Sequence, residues 1–202
     1  MKNREKDKKK PSSLLGRVWH FIWYEDSFAS WIVNIILAFI IVKFIFYPGI
    51  GFLFGTGYPI VAVVSSSMEH KYNFEQWWIN NRDFYSAYNI TKEEFKDYSF
   101  NNGFNKGDIM VVIGKKSENI NIGDVVVFRG SLRDPIIHRV IKKWNNSIYY
   151  FQTKGDNNLN SRADELSIGE ERVLGKAVFR VPFLGWIKII AVELINGIRS
   201  MV

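Results

Sequence analysis

Three serines in a row, Ser65-Ser66-Ser67, run into Met68-Glu69-His70 at the end of an apolar stretch. A serine hydroxyl is a weak nucleophile until an adjacent base takes its proton, so such a serine needs a partner. Few partners are on offer. The 202-residue chain holds three histidines, His20, His70 and His138, and no cysteine. Thiol chemistry and disulfides are excluded. The histidines and scattered carboxylates show no metal-ligand spacing. Gly49, Gly51, Gly55 and Gly57 lack the lysine and helix of a phosphate-cradling loop. Taken singly, the remaining features have ordinary explanations. Ser-Ser-Ser at a strand end is usual turn chemistry. His138 in a β-branched run reads as a packed histidine, and Asp156 in Lys154-Gly-Asp-Asn-Asn158 as a turn aspartate.

Something must hold these residues, and the strongest signal lies upstream. Residues 28–50 read FASWIVNIILAFIIVKFIFYPGI. As a helix they span roughly 34 Å, enough for a hydrocarbon core of about 30 Å. Asn34 and Lys43 interrupt the run, and Lys43 can snorkel toward the headgroups. Trp19, Trp23, Tyr24, Trp31 and Tyr47 sit where an aromatic belt belongs. The net charge is +7, and much of it lies in residues 1–10, with six Lys or Arg against Glu5 and Asp7. A basic tail is not a basic folded face, so nucleic acid is not an expected partner. It is instead a cytoplasmic flank near anionic lipid. The positive-inside rule predicts a single-pass protein of the cell membrane with a cytoplasmic N-terminus. Residues 1–27 are then tail and juxtamembrane segment, 28–50 the transmembrane helix, and His20 lies on the cytoplasmic side. The alternative, a cleaved secretory signal, fits poorly. The run exceeds the usual apolar length of about 7–15 residues and no A-x-A-like site follows.

Beyond the glycine-rich connector the pattern becomes strand-like. Strands are expected at 58–65, 108–114, 124–130, 135–144, 147–155 and 173–181, with Asn145-Asn146 as a hairpin turn. The segment 72–105 interrupts them. It is polar and aromatic, and Thr91-Lys-Glu-Glu94 has the form of a capping box, so an insertion with one or two short helices is expected. In the last segment, 183–202, Leu184, Ile187, Ala191, Leu194, Ile195 and Ile198 form a helical stripe, but Lys188, Glu193, Asn196 and Arg199 break it as a span. An amphipathic, interfacial or domain-packing helix is expected there. The fold class is mainly β: an antiparallel domain over 58–182 with an N-terminal transmembrane helix and a partly helical insertion.

The order of the motifs adds what no single one carries. After the span come Val64-Ser-Ser-Ser-Met-Glu69 and Gly107-Asp108, followed by Gly123-Asp-Val-Val-Val-Phe128 and Ile137-His-Arg-Val140. Lys154-Gly-Asp-Asn-Asn158 and Pro182-Phe-Leu-Gly-Trp186 complete the series. This order resembles the type I signal peptidases, in the archaeal and endoplasmic-reticulum variant that has histidine where bacterial enzymes have a catalytic lysine. The resemblance implies a signal-peptidase-like β protease domain on the outer face of the membrane. It implies Ser67 as nucleophile and His138 as general base. The Ser67 backbone N–H would form the oxyanion hole, with the Ser65 hydroxyl assisting. Asp156 matches the first aspartate of the Gly-Asp-Asn-Asn box, and Asp164 is the nearest match for a second, at longer spacing than the family shows. Two other departures stand out. His70 replaces the usual proline after Ser-Met-Glu, and more than thirty residues separate that motif from the next Gly-Asp.

The implied reaction is removal of signal peptides from translocated preproteins by a serine endopeptidase. No cofactor or metal is expected. Preprotein signal peptides and the lipid bilayer are the implied partners, with the secretion translocon a further candidate. Three rivals stay open at this point. One is a catalytically inactive, membrane-tethered β-rich module that binds other proteins. Another is a self-cleaving repressor-type protease, for which no DNA-binding domain is visible. The third is a peptidase for special precursors such as pilin-like or surface-layer proteins.

Overall fold

The computed structural model describes residues 13–131 and 134–199, the side chains of 195–199 excepted. Most of the basic tail, residues 1–12, lies outside the described residues, as do residues 200–202 and the Ile195 and Ile198 side chains of the expected stripe. Two compact units divide at Gly49/Ile50.

The first unit is helical. Helix α1 (Leu14–Tyr24) begins at Ser13, whose hydroxyl accepts from the Gly16 N–H at 3.1 Å. Helix α2 (Phe28–Ile41) begins at Ser27 in the same way. Between them lie only residues 25–27. The Ser30 hydroxyl donates to the Phe21 carbonyl at 2.6 Å, and the Asn34 amide to the Ile22 carbonyl at 3.0 Å. Both acceptors are in the last turn of α1, where helix geometry leaves carbonyls without partners. The polar interruptions of the span therefore satisfy the end of its neighbour.

The apolar helix runs without a break from Phe28 to Phe54, longer than the expected 28–50. A π-turn at Val42–Phe46 joins α2 to α3 (Tyr47–Phe54). Pro48 explains the π-turn, because it has no N–H for the Phe44 carbonyl and its ring crowds that oxygen. Gly49 and Gly51, expected in a connector, are helical. The stop comes at Gly55, with φ of 65°. Gly55 N–H donates to the Phe52 carbonyl and Thr56 N–H to the Gly51 carbonyl, the paired bonds of a Schellman end. Gly51 must be small, since a Cβ there would stand 3.0 Å from the Thr56 carbonyl.

The second unit is a seven-stranded antiparallel sheet in the order β1-β2-β7-β3-β4-β5-β6. The strands are β1 (Ile60–Ala62), β2 (Ile109–Ile113), β3 (Val125–Phe128), β4 (Ile136–Asn146), β5 (Ile148–Lys154), β6 (Ile168–Gly169) and β7 (Val173–Val181). Six correspond to expected strands, and β6 is too short to show a period in the sequence. The β4–β5 ladder runs through Asn146↔Ile148, so the reversal centres on Ser147 at φ 67° rather than on Asn145-Asn146. The run Val125-Val-Val-Phe128 is buried on both faces. Val125 and Val127 join Met68, Phe104, Met110 and Ile137 on one side, and Val126 and Phe128 join Val140, Phe151 and Ile168 on the other. That is why it shows no alternation.

Two turns have the same build. Asn105-Lys-Gly-Asp108 and Asn121-Ile-Gly-Asp124 each place glycine at φ 92° and return the aspartate carboxylate to the asparagine N–H at 2.9 Å. The insertion holds α4 (Phe74–Ser86) and α5 (Lys92–Asp97), the second started by the capping box of Thr91 and Glu94. Trp77, Trp78, Tyr85, Ile90 and Phe95 pack with Ile141 of β4 into a cluster of their own. Helix α6 (Trp186–Arg199) closes the chain. Its expected stripe at Leu184, Ile187, Ala191 and Leu194 is exposed, while Ile189, which lies outside the stripe, is buried.

Gly107 ties α6 to the sheet. A Cβ there would lie 2.0 Å from the Trp186 indole nitrogen, on a backbone that disfavours any side chain. We expect Gly107→Ala to cost about 1–3 kcal/mol in thermal unfolding of the full chain. Gly57→Ala, with open space around it, should stay within about 0.5 kcal/mol.

Candidate active site

β4 is the axis of the site. Successive strand residues point to opposite faces, so His138 and Arg139 reach into different surroundings. His138 is paired to Val126 across β3–β4, and Arg139 to Lys154 across β4–β5.

On the His138 face, the ring is bonded at both nitrogens. Nε2 lies 2.9 Å from the Ser67 hydroxyl, and Nδ1 meets the Glu165 carboxylate. A carboxylate only accepts, so Nδ1 carries the proton and the Nε2 lone pair faces Ser67. Glu165 is fully buried, and its second oxygen accepts the Arg162 N–H at 2.9 Å. The Ser65 and Ser67 hydroxyl oxygens are 3.1 Å apart. Ser67 and His138 line a cleft of about 670 Å³, walled by Val61 and Val64 on one side and Pro135 and Ile137 on the other. A buried carboxylate, an imidazole and a hydroxyl in a row can move a proton off the hydroxyl while stabilising the imidazolium that forms.

On the Arg139 face sits Asp156, buried completely and apart from His138. Arg139 Nε donates to its Oδ1 at 2.9 Å and a terminal nitrogen to Oδ2 at 2.7 Å. Tyr85 of the insertion donates to Oδ1 at 3.1 Å, and His70 Nε2 meets Oδ2 at 3.1 Å. Burial alone would push this carboxyl up. The Arg139 charge and the bonds from His70 and Arg139 outweigh it and hold Asp156 well below the usual carboxylate range. The His70 ring also stacks on Trp77, with centroids 3.8 Å apart. The residue in the usual proline position thus joins the insertion to this ion pair.

The turn after Lys154 clamps the serine loop. Asn157 N–H donates to the Ser67 carbonyl at 2.8 Å and its side chain to the Ser66 carbonyl at 3.0 Å. Gly155 lies so close that a Cβ would stand 2.8 Å from both His138 Nε2 and the Ser67 carbonyl.

The residues expected from the sequence therefore separate. Ser65, Ser67 and His138 come together. Asp156 holds the reverse side of β4. Asp164 turns outward to Ser131, whose N–H and hydroxyl both donate to it at 2.7 Å, and this lowers its pKa to about 2. The carboxylate on His138 is its neighbour Glu165. Both lie in one 3-10 turn, Ala163–Glu165. There, consecutive side chains project about 120° apart, so one points in and the next does not. Two adjacent acids in a short turn were the only signal in sequence. Among the described residues, no group of three or more His, Asp or Glu is placed to hold a metal.

Comparison with known proteins finds relatives named as catalytic subunits of the signal peptidase complex. The signal peptidase complex catalytic subunit SEC11C of Homo sapiens is 29% identical over 155 residues, covering 71% of this chain and 62% of that protein. SEC11C of Mus musculus aligns with the same figures. The signal peptidase complex catalytic subunit SEC11 of Fusarium vanettenii is 31% identical over 98 residues, 45% of this chain and 57% of that protein. No protein-family model matches the chain. The chain thus spans just under two thirds of the length of these SEC11C relatives. Homologues named as signal peptidase subunits accompany the resemblance of the ordered motifs to type I signal peptidases.

Lys154 supplies a test of how dry the reverse face is. It is buried over the Phe84 and Tyr85 rings. Burial lowers its pKa from 10.5 to about 8, against the pull of Asp156. Between those values the unfolded chain holds the extra proton, so folding stability rises with pH through that window. We expect the urea midpoint to climb between these two pH values in the wild type relative to Lys154→Met. Parallel pH profiles would show a solvated ammonium.

Proposed function

We propose that this chain is a membrane-anchored serine endopeptidase that removes signal peptides from translocated precursors. Ser67 is the nucleophile, His138 the general base and Glu165 the carboxylate that orients it. The observation that supports this most is the unbroken chain Glu165–His138–Ser67, whose last two members line the cleft. The SEC11 relatives point to the same class of substrate.

The chemistry follows from that chain. His138 Nε2 takes the Ser67 proton as Oγ attacks the scissile carbonyl. The negative charge on the former carbonyl oxygen meets the Ser67 N–H and the Ser65 hydroxyl. His138 then gives the proton to the leaving amine, and an acyl-enzyme remains. Water attacks it with the same base, and the peptide is released. Glu165 keeps Nδ1 protonated throughout and offsets the imidazolium charge.

β1 is an edge strand of the sheet and, among the described residues, pairs only with β2. A peptide can add along its outer side as a further strand, its alternate side chains in the apolar walls of the cleft. The apolar helix Phe28–Phe54 is long enough to cross a bilayer. Anchoring enzyme and precursor in one membrane raises their effective concentration. The bilayer and the preprotein signal peptide are then the partners, with a cytoplasmic N-terminus and an outward-facing sheet domain, and the translocon a neighbour.

Incubation of the detergent-solubilised chain with a model preprotein tests this. Ser67→Ala and His138→Ala should each lower the rate on the order of 10³-fold or more. Ser65→Ala should lower it by about tenfold to a thousandfold. Wild-type rates in Ser67→Ala would overturn Ser67 as nucleophile, and no cleavage by the wild type would return the chain to the inactive interaction module.

The carboxylate assignment is tested separately. Glu165→Gln should cost on the order of 10²–10⁴ in kcat, because a neutral amide no longer fixes the Nδ1–H tautomer. Asp164→Asn should stay near wild type. The reverse order would move the orienting role to Asp164.

A further inference from the structure

We infer that α1 lies in the plane of the membrane, as a second anchor that recognises an anionic lipid surface on the side of the N-terminus. This stands apart from the reaction at Ser67 and rests on the first helical unit alone.

The helix is apolar on a face that nothing buries among the described residues. At about 100° per residue, Leu14, Leu15, Val18, Ile22, Trp19 and Trp23 occupy one arc, and Arg17, His20 and Tyr24 the opposite one. No residue of α1 is buried, and Leu15, Trp19 and Trp23 are 82%, 60% and 64% exposed. Two tryptophans and two leucines on one face, with Arg17, His20 and Tyr24 on the other, are the composition of an interfacial helix.

Its depth is set by two hydrogen bonds. Ser30 and Asn34 capture the Phe21 and Ile22 carbonyls. Counted along the apolar helix from Phe28, they lie about 3 Å and about 9 Å into the span. The last turn of α1 is therefore held at the boundary of headgroups and acyl chains, where in-plane helices bury their apolar face by about 5–10 Å. A helix projecting into water could not bring these carbonyls to Asn34. The link of residues 25–27 is too short to place α1 elsewhere.

Charge chooses the lipid. Arg17 lies on the polar arc, and residues 1–10 carry six Lys or Arg against two acids. Such a segment beside a membrane helix is attracted to anionic headgroups.

The absence of native cysteine makes single-site labelling clean. Nitroxides would be placed on Leu15→Cys, Arg17→Cys, Trp19→Cys and His20→Cys in the full chain, reconstituted in phosphatidylcholine vesicles with and without about one third phosphatidylglycerol. Collision with oxygen should exceed collision with an aqueous nickel chelate at 15 and 19, and the order should reverse at 17 and 20. Nickel dominance at all four positions would place α1 in water, and oxygen dominance at all four would place it in the hydrocarbon; either overturns the inference. The oxygen-to-nickel ratio at 15 and 19 should rise several-fold with phosphatidylglycerol and fall back in high salt. Equal ratios in the two lipids would overturn the choice of an anionic partner.

Discussion

The second unit is organised around one buried ion pair, Arg139 with Asp156. Arg139 has five N–H donors, and all are used. Two go to the Asp156 carboxylate, and the others to the carbonyls of Ser99, Phe100 and Gly123. Phe95 covers the guanidinium with its ring centre at 4.7 Å. These bonds fasten four separate pieces of chain to one side chain: β4, the turn after β5, the end of the insertion and the turn before β3. Removing one partner of such a pair costs roughly 3–5 kcal/mol, because the other charge is left buried alone. That is a large part of a typical folding free energy of about 5–15 kcal/mol.

The Ser67–His138 contact depends on this pair without touching it. His138 is the residue before Arg139, and Asp156 leads directly into Asn157, which holds the Ser66 and Ser67 carbonyls. Fixing Arg139 to Asp156 therefore fixes the imidazole and the hydroxyl against each other from behind. Gly155 makes the arrangement possible, since any side chain there would strike both. A dry, fully bonded network is also the arrangement in which each polar contact is strongest and each loss most expensive.

The insertion is what dries it. Trp77, Tyr85 and Phe95 lie over the polar residues, and their indole and phenol groups bond to Asp156 rather than being left unpaired. His70 belongs to the same closure. Its ring bonds Asp156 and stacks on Trp77, so the residue after Ser-Met-Glu and the insertion meet on the face of β4 away from the cleft.

Much of this was legible in the sequence, because it rests on local patterns. The apolar run reads as a helix long enough to cross a bilayer, since 20 or so residues of one kind leave a helix no other face to show. The strands followed from β-branched runs bounded by Gly and Asp, and α5 from its capping box. The order of short motifs pointed to Ser67 and His138. What the tertiary structure decided are relations between distant residues. Helix α2–α3 passed the glycines at 49 and 51 because the apolar run continues to Phe54, and glycine in a helix is a cost rather than a stop. Ile189 rather than the stripe was buried in α6, because the contacts that fasten the helix at Gly107 and Asp108, not the period, chose the docking face. Glu165 instead of Asp164 reached His138, because a 3-10 turn aims neighbours apart and only the packed position of β4 determines which one points in. Asp156 went to Arg139 for the same kind of reason: alternation along a strand fixes that 138 and 139 face opposite ways, but what waits on each side is set by chain folded back from elsewhere.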